Sequence, residues 1–313
     1  MPTSSTPPGT ETTPGSLMVF RKFAERPQVE HRDAADGVVD TVGALSGNGG
    51  VKNHTAGVLR GFDARYVPYL RAAEERHFWF RARNAIIGAL VRQIEAELTP
   101  GYRVLEIGCG TGNTLRVLHA ICTRGSVLGI DFQREGLAYA RERVRCPMVQ
   151  GDVSAAPFGP SVRFDLIGMF DVLEHIDDDR EVLASVRARM APGAAFLLTV
   201  PAAPALWSSF DEAAGHRRRY TNDELSGKLA RAGFRVEYLS PFMLVPYPLM
   251  WAKRLLANRF RSREGSACIV EELKVVPILN SAMTFVVSRE VPLIRSRRHL
   301  PFGTSLIAIA RPS

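Results

Sequence analysis

The chain has 313 residues, 46% of them hydrophobic, which suffices for one large core or for a core with a small appendage. Its formal net charge of +8 permits nucleic acid, anionic lipid or an acidic substrate as a partner and selects none of them. The four cysteines show neither Cys-x-x-Cys pairs nor the spacing of a disulfide framework, which argues against a zinc site and fits a reducing compartment.

The N-terminus shows no secretory signal, and the longest apolar run, 242–251, contains two prolines and is too short to span a bilayer. We therefore expect a cytoplasmic protein that is at most peripheral to a membrane. Ser, Thr, Pro and Gly dominate 1–16, and Gly is abundant in 43–50. This composition predicts a disordered N-terminal extension over 1–61.

Helical spacing then predicts an N-terminal helical cap over 62–100. Its first part, 66–80, ends in the aromatic cluster His-Phe-Trp-Phe. Its second part, 82–98, has apolar residues along one side and reads as an amphipathic helix.

From residue 101 to residue 313, β-prone apolar runs alternate with helical patterns, which predicts a parallel sheet with helices on both faces. The predicted strands are 103–107, 126–131, 147–152, 164–171, 194–201, 234–240 and 304–310. One predicted helix begins near residue 113, and three others cover 133–144, 178–190 and 221–232. The segment 241–300 interrupts the alternation and is expected to form a helical lid or insertion before the last strand.

At the centre of this domain, a buried strand runs into a glycine-rich turn. Glu106 lies near the end of the strand, and Gly108, Gly110 and Gly112 follow at alternate positions. Glycine lets the backbone turn sharply and approach a ligand closely, and the next helix directs free N–H groups towards the same space. A nucleotide-like cofactor is the expected ligand. Dinucleotide-binding oxidoreductases use a different spacing, Gly-x-Gly-x-x-Gly, and are the alternative.

The pattern Glu-x-Gly-x-Gly-x-Gly resembles motif I of the class I S-adenosyl-L-methionine (SAM)-dependent methyltransferases. The resemblance implies that 101–313 is an α/β SAM-binding domain with a Rossmann-like, seven-stranded, mostly parallel sheet whose last strand is antiparallel. It also implies that Glu106 lies near the amino group of SAM or braces the loop. The residues that it places at the methionine end of SAM are Gly108, Cys109, Gly110 and Gly112.

Acidic residues end the next two strands of the predicted sheet. A carboxylate such as Asp131 can accept two hydrogen bonds from vicinal ribose hydroxyls, and the family uses this position in that way. The resemblance likewise implies that Asp152 binds the amino group of adenine and that Val153 lies against the ring. Phe132 is expected on the adenine or ribose, or else in the core.

The fourth strand continues into Val-Leu-Glu-His-Ile, which resembles a motif of small-molecule methyltransferases. Because open α/β sheets bind ligands at the carboxyl ends of their strands, Phe170 and Asp171 should face SAM. Quinone-biosynthesis O-methyltransferases bind Mg²⁺ with a similar motif, whose positions here are Asp171, Glu174 and His175. We favour a metal-free site in which Glu174 and His175 fix the turn, and Mg²⁺ is the alternative. His175 is also a candidate catalytic residue.

The segment 206–221 resembles a stretch of a bacterial methyltransferase subgroup, Leu-Trp-Ser-x-x-Asp-Glu-x-x-Gly-His-x-Arg-Arg-Tyr-Thr. The loop after the fifth strand borders the acceptor pocket in this fold. Since histidine titrates near neutrality, His216 is the candidate general base for a hydroxyl acceptor, and Arg219 and Tyr220 are candidates to orient an oxygen or an anionic group. The alternative is that the acids and arginines of this segment form a network that holds a lid shut.

The sequence therefore predicts a SAM-dependent methyltransferase that acts on a small or lipophilic acceptor, with O-methylation favoured. The alternatives are C- or N-methylation of a secondary metabolite or glycan precursor, a non-catalytic SAM-binding protein, and an NAD-dependent oxidoreductase. Nucleic acid is disfavoured as the acceptor because the Asn-Pro-Pro-Tyr type motif and the Pro-Cys nucleophile are missing from the sequence. The apolar and basic residues of 241–300 suit a cap over a lipophilic acceptor or a peripheral contact with anionic lipid.

Overall fold

The computed structural model describes residues 38–40, 63–152, 158–257 and 267–313. Its strands are β1 (Val38–Asp40), β2 (Arg103–Ile107), β3 (Ser126–Asp131), β4 (Met148–Gln150), β5 (Phe164–Phe170), β6 (Met190–Pro201), β7 (Phe234–Phe242) and β8 (Ser305–Pro312). Its α-helices are α1 (Val67–Glu74), α2 (Phe78–Glu97), α3 (Asn113–Ile121), α4 (Arg134–Arg143), α5 (Asp179–Ala188), α6 (Ser209–Ala213), α7 (Asn222–Arg231), α8 (Pro246–Ala257), α9 (Ala267–Glu272), α10 (Pro277–Ser288) and α11 (Glu290–Arg295).

The strands form one sheet in the order β1-β4-β3-β2-β5-β6-β8-β7. Neighbouring strands are parallel except at β8, which is antiparallel to both β6 and β7. The predicted Rossmann-like sheet of seven mostly parallel strands is confirmed, and β1 adds a short parallel strand beside β4. Because the strand order reverses between β2 and β5, ligands are expected at the carboxyl ends of these two strands.

The strand β1 falls within 1–61, the region whose composition predicts disorder. The rest of that region lies outside the described residues.

Apolar layers cover both faces of the sheet. On one face, α2, α3 and α11 contribute buried side chains such as Ile86, Leu115 and Ile294. On the other face, α5 and α7 contribute buried side chains such as Leu183 and Leu229. Complete burial of each aliphatic side chain stabilises the fold by about 1.5–3 kcal/mol, so these layers hold the strand ends in fixed positions.

The cap consists of α1 and α2, and the aromatic cluster begins α2 instead of ending the first helix. The Nδ1 atom of His77 accepts a hydrogen bond from the N–H of Trp79 at 3.3 Å and so caps α2. The insertion packs against the cap through Asn280 of α10. Its side chain accepts a hydrogen bond from the N–H of Phe78 at 2.7 Å and donates one to the carbonyl oxygen of Arg76 at 2.9 Å.

The insertion is also tied to the sheet at its beginning. The buried carboxylate of Glu290 accepts hydrogen bonds from the N–H groups of Met243 and Leu244 at 2.7 and 2.8 Å. These bonds join the start of the insertion, after β7, to α11 near its end. Within the described part of the chain, no helix combines the length and the apolar composition that crossing a bilayer requires.

Candidate functional site

A cavity of about 500 Å³ lies at the carboxyl ends of β2, β3 and β5. Its walls come from the cap, the glycine turn, the strand ends, the segment after β6 and the insertion. The predicted site residues that line it are Glu106, Gly108, Cys109, Gly110, Asp131, Phe132, Asp152, Phe170, Asp171, Glu174, His175 and His216. Gly112 and Tyr220 do not line it, and Val153 lies outside the described residues.

The glycine turn holds the backbone against the end of β3. The N–H of Gly108 donates to the carbonyl oxygen of Ile130 at 2.8 Å. Gly108 and Gly112 have φ values of 71° and 76°, and a Cβ on Gly108 would lie 2.3 Å from a methyl group of Val172. A Cβ on Gly110 would meet no atom within 4 Å. The fold therefore requires glycine at 108, whereas the space beside Gly110 is open to a ligand.

Asp131 connects the glycine turn to the end of β3. One of its carboxylate oxygens accepts a hydrogen bond from the N–H of Gly110 at 2.7 Å, and the other accepts one from the N–H of Gln133 at 2.8 Å. Burial raises the pKa of Asp131, and these two backbone donors oppose the rise. Each carboxylate oxygen has further acceptor capacity, so Asp131 can fix the turn and also bind a ligand in the cavity.

Glu106 is a buried acid beside the same turn. It is 2% exposed, and its Oε2 atom has no hydrogen-bond partner among the described residues. Burial raises the pKa of Glu106 well above its ordinary value of 4.5; Asp131 and Glu74 add to the rise, while Arg83 opposes it. A buried polar atom without a partner destabilises the folded protein. A cationic ligand in the cavity would supply the missing partner.

The cap contributes Arg83, a site residue that the sequence analysis does not assign. One guanidinium nitrogen forms an ion pair with Asp171, and another donates to Oγ1 of Thr114 at 2.9 Å. The guanidinium carbon lies 4.9 Å from the ring centroid of Trp79. A planar cation held in this way can bind a carboxylate through two donors. The sequence does hint at this role. Arg83 lies four residues before Ile87 and so falls on the apolar side of the helix, where arginine is rarely buried unless it is paired.

A second ion pair attaches the cap to the glycine turn. Glu74 at the end of α1 pairs with Arg143 at the end of α4, and both side chains are buried. The same guanidinium nitrogen of Arg143 donates to Oγ1 of Thr111 at 2.7 Å and to its carbonyl oxygen at 3.2 Å. Since Thr111 belongs to the glycine turn, the cap closes one side of the cavity.

His216 is held by a buried carboxylate. Its Nδ1 atom lies 2.9 Å from Oδ1 of Asp211, and Nε of Arg219 donates to the same oxygen at 2.8 Å. Burial alone would raise the pKa of Asp211, but the hydrogen bonds from His216 and Arg219 outweigh it and lower the pKa. Asp211 is therefore ionised and suited to accept the hydrogen of Nδ1, an arrangement that in a neutral imidazole has the lone pair on Nε2. The predicted network of acids and arginines thus includes the histidine.

Glu174 and His175 lie next to His216. The rings of His175 and His216 meet edge to face, with centroids 4.8 Å apart. Burial lowers the pKa of His175 to about 3, and His216 adds to the fall. Burial raises the pKa of Glu174 well above its ordinary value, and Asp171 adds to the rise. Neither carboxylate oxygen of Glu174 has a hydrogen-bond partner among the described residues. Burial therefore disfavours the charged form of both groups.

Tyr220, a predicted catalytic residue, lies in the core and does not line the cavity. Its hydroxyl donates to Oδ2 of Asp179 at 3.1 Å in the fully buried layer on the α5 and α7 side. Burial raises the pKa of Tyr220, and Asp179 adds to the rise. The backbone of Tyr220 pairs with Ala202, and neighbouring side chains in extended chain point in opposite directions. Arg219 therefore faces the cavity and Tyr220 faces the core.

The Mg²⁺ alternative requires Asp171, Glu174 and His175 to converge on one ion. The carboxylate of Asp171 is instead paired with Arg83. In the described part of the chain, the ligand atoms that lie together belong to Glu174, His175 and His216 and are within 4.8 Å of one another. Mg²⁺ prefers oxygen ligands, whereas this set offers one carboxylate and two imidazoles. These residues do not fit Mg²⁺.

Comparison with known proteins assigns this fold to a family. A family model described as a methyltransferase domain matches residues 72–239, which is more than half of the chain. The chain belongs to this family. The match covers the second part of the cap, the glycine turn, the strand ends and the loop after β6. The predicted identity as a methyltransferase is therefore confirmed.

Two named relatives are similar to part of this chain. This chain is 28% identical over 166 residues to a "Probable S-adenosylmethionine-dependent methyltransferase" of Mycolicibacterium smegmatis. The alignment covers 52% of this chain and 62% of the relative. It is also 32% identical over 107 residues to the mitochondrial ubiquinone biosynthesis O-methyltransferase of Saccharomyces cerevisiae. That alignment covers 32% of this chain and 34% of the relative. The chain thus spans less than two thirds of the length of these relatives.

A solved structure shows the same fold. Phosphoethanolamine N-methyltransferase 2 of Haemonchus contortus, in complex with SAM, aligns with a TM-score of 0.51 and 18% identity over 80% of this chain and 58% of that one. This likeness shows the Rossmann-like fold, and the family match shows that the chain contains a methyltransferase domain. The family match favours this class over the predicted alternative of an NAD-dependent oxidoreductase.

Proposed function

We propose that this methyltransferase transfers the methyl group of SAM to a hydroxyl group of a small or lipophilic acceptor. The observation that carries the proposal is that His216, which is paired with the buried Asp211, lines the same cavity as the glycine turn. An imidazole with a carboxylate on one nitrogen and a lone pair on the other is suited to remove a proton from a hydroxyl. The yeast relative, named as an O-methyltransferase, supports oxygen as the methylated atom.

The part of the cavity beside β2 and β3 is proposed to bind SAM. Asp131 would accept hydrogen bonds from the ribose hydroxyls, and Asp152 would accept one from the amino group of adenine. Phe132 would lie beside the adenine ring. Arg83 suits the carboxylate of the methionine part, and Glu106 would ionise on binding and pair with its ammonium. The open space beside Gly110 lets the backbone approach the cofactor closely.

The proposed reaction is an in-line displacement at the methyl carbon. The hydroxyl oxygen of the acceptor forms a bond to that carbon, and the bond from the carbon to the sulfonium sulfur breaks with its electron pair left on sulfur. The hydroxyl proton passes to Nε2 of His216, and the carboxylate of Asp211 stabilises the imidazolium. Because the sulfonium is already activated, the protein mainly holds the two reactants in line.

The acceptor side of the cavity is apolar. Leu249 and Met250 of α8 and Leu279 and Met283 of α10 form this wall. Pockets of this kind bind the apolar body of a ligand, and a few polar groups fix its orientation. The acceptor is therefore proposed to carry its hydroxyl at one end and an apolar body at the other.

The test uses SAM with a labelled methyl group and two probe acceptors of equal chain length, an alkyl catechol and an alkylamine. The wild-type protein is expected to methylate the catechol on oxygen, which mass spectrometry identifies. His216→Gln is expected to lower kcat by about 100- to 10,000-fold while the Kd for SAM stays the same. His119→Gln, at an exposed histidine of α3, is the matched control and should have no effect. Preference for the amine, or an unchanged kcat in the His216 variant, would contradict the proposal.

A further inference from the structure

The insertion presents large apolar side chains to the outside of the protein. On α10, Ile278 is 87% exposed and Phe285 is 61% exposed. These residues are two helical turns apart and share one face of the helix. We refer to the exposed residues Leu249 and Trp251 of α8 together with Ile278, Leu279 and Phe285 of α10 as the lid surface. Exposed apolar groups of this kind mark an interaction site.

The lid surface and the cavity share two residues. Leu249 and Leu279 both line the cavity, and each is 54% exposed. Met250 and Met283 continue the apolar wall inward. An acceptor that enters here passes from an apolar surface to an apolar wall and keeps its apolar body out of water.

Cations flank the apolar helix of the lid surface. No charged residue occurs within α10, whereas Lys274 precedes it and Arg289 follows it, and both are exposed. The guanidinium carbon of Arg289 lies 4.4 Å from the ring centroid of Phe285. The adjacent Glu290 is buried against backbone N–H groups and does not share that surface. Apolar side chains edged by cations complement an anionic bilayer, whose headgroups attract the cations while its acyl region accepts the apolar groups.

We propose that the lid surface docks on an anionic lipid bilayer and that the acceptor enters the cavity from that bilayer. The inference deepens the proposed function and rests on it, because a lipophilic acceptor resides in the bilayer. Transfer of Ile278 and Phe285 from water to the acyl boundary supplies the main driving force. Arg289 and Lys274 add attraction to the anionic headgroups.

Flotation of the full chain with phosphatidylcholine vesicles, with and without phosphatidylglycerol, tests the docking in the absence of SAM and acceptor. Wild type is expected to float with the vesicles that contain phosphatidylglycerol. Replacing Ile278 and Phe285 together by serine should lower the partition coefficient by at least about tenfold, whereas Phe285→Leu should leave it near wild type. Arg289→Gln should lower it by about fivefold. Arg231→Gln, at an exposed cation of α7 on the opposite face of the sheet, is the matched control and should leave it unchanged.

Equal melting temperatures of these variants will show that the substitutions act at the surface and not on the fold. Failure of wild type to float, or equal losses for Arg289→Gln and Arg231→Gln, would overturn the docking. Self-association in light scattering that the serine variant abolishes, without any dependence on lipid, would assign the lid surface to a second copy and also overturn it. A protein that floats but does not methylate the catechol contradicts the proposed function alone. One that methylates it but does not float contradicts the docking alone.

Discussion

Replacement of Glu106 by glutamine is expected to stabilise the ligand-free protein and to weaken its binding of SAM. The side chain is 2% exposed, and its Oε2 atom lacks a hydrogen-bond partner among the described residues. Glutamine keeps the size of the side chain and removes its titration. If Glu106 only braced the glycine turn, the protein would become less stable on this change. If Glu106 serves to bind a cationic ligand, the protein would become more stable and its affinity for that ligand would fall.

The sign of the stability change follows from the raised pKa of Glu106. The folded protein holds a proton that the unfolded chain releases above its ordinary pKa of 4.5. The contribution of this carboxyl to stability is therefore complete below that value and is lost as pH rises towards the folded pKa. The free energy of unfolding of Glu106→Gln should exceed that of wild type by an amount that grows with pH above 4.5, at up to about 1.4 kcal/mol per pH unit.

The affinity for SAM should change in the opposite direction. A hydrogen bond to an ionised group contributes about 1.5–3 kcal/mol, so the Kd of the variant should rise by about 10- to 150-fold. Ionisation of Glu106 on binding should also release a proton, which calorimetry detects as a dependence of the heat on the buffer. Glu106→Gln should abolish that dependence.

Two measurements check this prediction. Chemical denaturation at pH 5 and pH 8 gives the difference in stability, and calorimetric titration with SAM at neutral pH gives the Kd. Glu142→Gln, at an exposed acid of α4, is the control and should match wild type in both. A Glu106 variant that is less stable at pH 8 and binds SAM as tightly as wild type would refute the reasoning.

Gly110→Ala is expected to fold with a loss of only about 1 kcal/mol, because its φ is 49° and its Cβ meets no protein atom, yet to bind SAM at least about tenfold more weakly in calorimetry. Gly108→Ala is the contrast, since its Cβ would lie 2.3 Å from Val172; its melting temperature should fall further, and equal melting curves for the two variants would contradict this. Arg83→Lys loses a two-donor contact with a carboxylate and should raise the Kd for SAM by about 10- to 100-fold. Arg81→Lys, at the exposed neighbour, should leave the Kd unchanged, and an equal Kd for both variants would show that Arg83 serves only to hold the cap.

The order of strands and helices could be predicted because each strand of the domain is a short apolar run between turn residues. The boundaries were less accurate where tertiary contacts decide them. The strand predicted over 147–152 ends at Gln150, and Gly151 and Asp152 line the cavity. The break between α1 and α2 was missed because it depends on His77, and histidine is not a common N-cap residue.

The acids at the strand ends could be placed together because the carboxyl ends of parallel strands share one edge of the sheet. Arg83 could not be placed there, because 88 residues separate it from Asp171 and no pattern in the sequence positions the cap over the sheet. The choice between Arg219 and Tyr220 was also open. Alternation puts one of them in the cavity and the other in the core, but the register that decides this comes from the pairing with Ala202.

The carboxyls of Glu106 and Glu174 belong to two different parts of the cavity, one beside the glycine turn and one beside the histidines. Both have a pKa raised well above the ordinary value by burial, and both contain oxygens without partners in the described part of the chain. Each of them lowers the stability of the ligand-free protein at neutral pH. Stabilisation by a ligand depends on its observed Kd, and the Kd for SAM is expected to be lower for wild type, so SAM should raise the melting temperature of wild type more than that of Glu106→Gln at equal concentration. Since Glu174 lies on the acceptor side, its share of the destabilisation should persist with SAM bound and fall only when an acceptor enters.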